Sequence, residues 1–154
     1  MTNSPLIPST DILDVEVAEL SRRASEYLLS QSWCRGILSS HLGWAVAGVV
    51  GVFLFEIDPA RSGIDKELWV VVGDVPSAYL VYEGNPTWRD ALGAYVEEMR
   101  KWVVAVRDGT PLLLDIIPVA AAPTTEHAQM LESRLDFLAN EILAEGMAEV
   151  VGDT

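Results

Sequence analysis

Cysteine, histidine and positive charge are all scarce in this 154-residue chain, and each scarcity closes off a class of function. Cys34 is the single cysteine, so no intramolecular disulfide can form and the core must cohere without a covalent staple. That usage fits a reducing compartment, and a cytoplasmic location is expected. The two histidines, His41 and His127, sit in no C-x-x-C, H-E-x-x-H or EF-hand pattern, and His127 has no second ligand at i+4. A metal centre is therefore not expected. Cys34 and His41 stand seven positions apart, which leaves a thiol–imidazole dyad open, although a buried cysteine and an incidental histidine are the plainer account. Ten Lys and Arg face 23 Asp and Glu, for a formal net charge of −13. A surface of that sign repels nucleic-acid phosphate and anionic lipid, and it attracts cations and basic proteins.

Motifs for the commoner chemistries are missing as well. There is no G-x-S-x-G elbow for a nucleophilic serine. Gly43, Gly48 and Gly51 make neither a G-x-G-x-x-G fingerprint nor a P-loop, so no nucleotide and no other cofactor is expected. The longest uncharged run, Gly36 to Phe55, has the length of a membrane span. Its first third is polar, however, and the strongly apolar part, Leu42 to Phe55, carries three glycines. It reads as a buried core element, with a membrane tether through residues 36–55 as the lesser reading. The opening Met-Thr-Asn-Ser-Pro shows no secretory signal pattern.

What the chain does have is a large apolar payload: half of its residues are hydrophobic. A single globular domain over residues 1–154 is expected, with a flexible arm over 1–9 and a frayed tail over 146–154. Leu13, Val17, Leu20, Ala24 and Leu28 recur at steps of three and four, which predicts an amphipathic helix over about 11–30, capped by Thr10 or Asp11. Residues 31–45 show no clean period, and Gln31 to Gly36 read as the end or a bend of that helix. β-Branched and aromatic residues predict strands over about 49–57, 68–72 and 78–82. The links between them are too short for parallel crossovers, so the three form an antiparallel meander. Trp88, Ala91, Leu92, Tyr95, Val96, Met99, Trp102, Val103 and Val106 predict a second helix over about 87–107, capped by Asn85 or Thr87 and stopped by Gly109. Leu112 to Ile117 reads as a fourth strand, and Ala128, Leu131, Leu135, Leu138, Ile142 and Leu143 mark the inner face of a last helix starting at Thr124 or Thr125. Grouped strands flanked by helices give an α+β fold, a mainly antiparallel sheet of three to four strands packed against three amphipathic helices.

The stretch from Trp69 to Tyr79, Trp-Val-Val-Val-Gly-Asp-Val-Pro-Ser-Ala-Tyr, resembles a family of small uncharacterised bacterial domains with a W-x-V-x-G-D-x-P-x-x-Y core. The likeness extends from about Val49 to Leu143. It implies a bacterial, soluble α+β protein and transfers no catalytic residue, because that family has no assigned activity.

Three residues stand out as candidate binding residues. Asp74 closes an apolar strand, where loops carry function in many folds, although a turn carboxylate bonding nearby backbone is the plainer account. Tyr79 follows it in the next strand, and Asp115 interrupts an apolar run. The aromatic residues Trp69, Tyr79, Trp88, Tyr95 and Trp102 are expected in the core. The leading functional expectation is a non-enzymatic acidic interaction protein, immunity-like, facing a basic protein and working as a homodimer. The alternative is a small enzyme or ligand-binding protein with a site around Asp74 and Tyr79.

Overall fold

The computed structural model describes residues 6–108 and 125–143. Eight elements follow one another: β1 (Ile7–Pro8), α1 (Val15–Leu29), β2 (Cys34–Val46), β3 (Val50–Pro59), β4 (Glu67–Gly73), β5 (Ala78–Val81), α2 (Trp88–Asp108) and α3 (Thr125–Phe137). A single 3-10 turn, Ser9–Asp11, precedes α1, and α3 widens into a π-helical turn over Leu138–Leu143. The chain divides into two compact units, residues 1–92 and 93–154, with the boundary inside α2.

The first unit is one antiparallel sheet in the order β1-β2-β3-β4-β5, crossed by α1. The α+β class and the antiparallel meander hold, but the sheet has five strands where three to four were expected. Both additions lie N-terminal to the expected meander. Ile7 and Pro8, within the stretch expected as an arm, pair with Leu42 and His41. Residues 34–46, which carried no period, form the longest strand. Its register against β3 shifts between Cys34 and Gly36, between Ile37 and Ser39, and between Leu42 and Trp44. Each shift moves the next side chain to the other face, so the period of two that would announce a strand is broken three times. The Gly36–Phe55 run is thereby the β2–β3 hairpin, and no described helix is long and apolar enough to cross a membrane.

Alternation in β3 and β4 builds the core. Phe53, Phe55 and Ile57 point to one face with Leu68, Val70 and Val72, and Val17, Leu20, Ala24 and Leu28 of α1 pack onto them. Val52, Trp69, Val71 and Leu80 carry the opposite face and are buried too, as the continuous apolar run of β4 requires. α1 begins at Val15, later than expected, because Asp14 is its cap: the Val17 amide donates to Asp14 Oδ1 at 3.0 Å. Thr87 caps α2, as one of the two expected candidates. The Asp90 amide donates to Thr87 Oγ1 at 3.1 Å, while the Thr87 amide donates back to Asp90 Oδ2 at 3.3 Å. This is the reciprocal capping box, with aspartate in the acidic place.

In the second unit α2 buries Tyr95, Val96, Met99, Trp102 and Val103, and α3 with its final turn buries Ala128, Leu131, Leu135 and Leu138. Arg100 pairs with Asp136 at 3.1 Å and Arg107 with Glu132 at 2.9 Å, so the two helices run antiparallel. The expected strand at 112–117, the stop at Gly109 and the tail beyond 146 lie outside the described residues.

Candidate functional site

Cross-strand register puts a polar row onto the sheet face opposite α1. Ser39 of β2 pairs with Glu56 of β3, and Glu56 pairs in turn with Glu67 of β4. One step along, His41 pairs with Leu54, and Leu54 with Trp69. Partners in an antiparallel ladder share a face, so the two carboxylates stand side by side with a hydroxyl and an imidazole next to them. Leu6, Ser39, His41, Leu54, Phe55, Glu56 and Glu67 line an open cleft of about 400 Å³ at this end of the sheet. Its lining combines apolar surface with two carboxylates.

Both glutamates are exposed, and neither forms an ion pair among the described residues, whereas Arg22, Arg35, Arg100, Lys101 and Arg107 all bind carboxylates elsewhere. Like charges directly opposite each other on neighbouring strands destabilise a sheet by a few tenths of a kcal/mol up to about 1 kcal/mol. A cation placed between them would remove that cost. The His41 ring adds one donor or acceptor, and the Leu6 and Leu54 side chains offer surface to an aliphatic stem. Together these groups suit an ammonium or guanidinium on a short hydrocarbon chain. No group of three or more His, Cys, Asp or Glu among the described residues is placed to hold a metal ion.

The residues singled out from the sequence lie elsewhere. Asp74 is exposed in the β4–β5 connection, and its amide donates to the Val49 carbonyl at 2.7 Å. Tyr79 is half-buried in β5 on the α1 face, its ring 5.0 Å from that of Trp33. The cleft opens on the other face. Asp115 lies outside the described residues. Cys34 is buried at the start of β2 and its thiol donates to the Gly36 carbonyl at 3.6 Å. Burial pushes that thiol up from its ordinary pKa, against the smaller opposing pull of the hydrogen bond, so the reactive thiolate is disfavoured. An extended strand also sets Cys34 about 20 Å from His41, which removes the dyad. His127 is exposed in the first turn of α3.

The W-x-V-x-G-D-x-P-x-x-Y residues hold the sheet together. Trp69 Nε1 donates to the Asn85 carbonyl at 2.7 Å, tying β4 to the turn before α2. Gly73 adopts φ +138°, and a Cβ there would collide with the Val49 carbonyl oxygen. Arg23 of α1 donates to the Gly73 carbonyl at 3.1 Å.

Glu56 and Glu67 were visible in the sequence only as the charges that bound two apolar runs. Their juxtaposition is a matter of register, and register is fixed by the bulged partner strand. No family model, curated protein or solved structure matches the chain.

Proposed function

We propose that this chain is a non-enzymatic, soluble interaction protein of the bacterial cytoplasm that captures a basic protein partner, as an immunity protein covers a basic toxin. The observation that carries the reading is the side-by-side pair Glu56 and Glu67 in an open cleft, without an ion-pair partner among the described residues. A lysine or arginine side chain of the partner lays its stem along Leu6 and Leu54 and sets its head between the two carboxylates. The net charge of −13 supports it at longer range, by steering a basic partner toward the acidic surface. The resemblance around Trp69–Tyr79 is compatible with this reading and adds no chemistry to it.

The test is a calorimetric titration with a lysine-bearing peptide at low and at physiological salt. Replacing both Glu56→Gln and Glu67→Gln removes two exposed ion pairs worth about 0.5 kcal/mol each, so affinity falls about fivefold and its salt dependence flattens. Unchanged affinity and unchanged salt dependence in the double variant would remove the cleft from the reading.

A further inference from the structure

We propose that Arg89 is a second and oppositely charged contact on the same sheet face, one that takes a carboxylate of the same partner; this rests on the interaction reading above. Three observations converge on it. The Arg89 guanidinium lies 4.7 Å from the centre of the Trp88 ring, and Trp88 is stacked on Trp44 with ring centres 4.9 Å apart and planes 8° from parallel. The π-contact fixes one face of the guanidinium and leaves its in-plane N–H edges for acceptors. The side chain forms no ion pair among the described residues of a chain with 23 acids, and its Nε is enclosed, so an acceptor from outside can meet only the Nη end of the guanidinium. Finally, Arg89 occupies the second position of α2, after the Thr87 cap, where the helix dipole disfavours a cation. The nearest acid in sequence, Asp90, is engaged by Thr87. A cation kept against the dipole, held flat and left without an acceptor, is set up for an incoming oxyanion, and a carboxylate matches its fork.

The register gives the spacing. Trp44 pairs with Val52, and Ser39 pairs with Glu56 four positions further along β3. The two rows are about 13 Å apart. An extended segment covers that in about four residues. The partner segment therefore carries a basic residue for the cleft and, several residues away, an aspartate, a glutamate or a terminal carboxylate for Arg89, which stands off the Trp44 row by the depth of the Trp88 stack.

Acetate alone probes the arginine. Acetate should shift the Arg89 Nη–H resonances saturably and change the fluorescence of the Trp44–Trp88 stack, and sodium chloride of equal ionic strength should do neither. No acetate-specific shift at Arg89 would overturn the inference. Butylammonium, read at His41 and Glu56, tests the cleft independently, so failure of one probe with success of the other separates this inference from the functional reading. A peptide with lysine and, several residues on, glutamate should bind several-fold more tightly than its glutamine counterpart. The difference should vanish in Arg89→Gln and persist in weakened form in Arg89→Lys. Equal affinity of the two peptides for the native protein would equally overturn the inference.

Discussion

At single positions, backbone geometry and burial decide more than residue chemistry does. Gly73 has φ +138° and its missing Cβ is what lets the chain pass under the Val49 carbonyl, so Gly73→Ala combines a strained backbone with a collision against fixed main chain. A loss of about 2 kcal/mol or more in urea-unfolding stability is expected, where an exposed Gly63→Ala, with open space around it, costs less. Tyr27 is governed by burial: its hydroxyl is pushed up to about 12, first by desolvation and then by the nearby Tyr79 hydroxyl. Since the folded protein holds this proton more tightly than the unfolded chain, the contribution is fully present below about pH 10. It is lost as pH rises from there toward 12, by an amount on the order of 2 kcal/mol. Chemical denaturation across that range should show a decline that Tyr27→Phe makes shallower. The turn around Gly73 and Asp74 was legible because a Gly-Asp-x-Pro sequence between two apolar runs has few other conformations open to it. The acidic pair at Glu56 and Glu67 was not, because nothing local to either residue says which carboxylate stands across the strand boundary.

Elements were legible in proportion to the regularity of their pattern. α2 is nearly complete in the sequence, from the Thr87 box to the apolar positions through Val103, because a long helix with one buried stripe repeats the same signal several times. Thr87→Ala removes the hydroxyl that accepts from the Asp90 amide and should cost about 1 kcal/mol, measurable as a lower denaturation midpoint with unchanged slope. Serine at the same place should restore most of it. α1 was placed correctly in its body and too early at its start, since Thr10, Asp11 and Asp14 all satisfy the capping preference and only geometry selects Asp14. β2 is the opposite case. Its three register shifts scatter Ile37, Leu38, Leu42 and Trp44 between faces and leave Leu38 exposed, so the strand has neither the alternation of a half-buried strand nor the apolar continuity of a buried one. Ser39 and His41, and with them the polar row, were hidden for that same reason. The bulges also bend a strand whose outer side is covered by β1 only at His41 and Leu42, and so break up what would otherwise be a long flat edge.

Over the whole molecule, the charge excess and the aromatic payload divide the labour. Trp69, Tyr95 and Trp102 are buried as expected, while Trp88 lies half-buried against Trp44 and carries Arg89. Carboxylates outnumber basic groups, and a minority of them are neutralised locally: Arg22 bridges Glu19 and Glu26 on α1, and Arg35 holds Asp58 at 3.0 Å. Against that background the Glu56–Glu67 pair is set apart by being opposed across a ladder rather than matched with a base. In the proposed reading, composition gives the sign of a partner and the sheet register the place where its cation would sit. The most direct measurement is residue-resolved NMR of the native chain titrated with a lysine-bearing peptide. Saturable perturbations centred on Ser39, His41, Glu56 and Glu67, weakened by added salt, are the expected result. Perturbations gathered instead elsewhere on the surface, or none in the cleft at saturating peptide, would contradict the assignment of this cleft as the place where a basic partner is held.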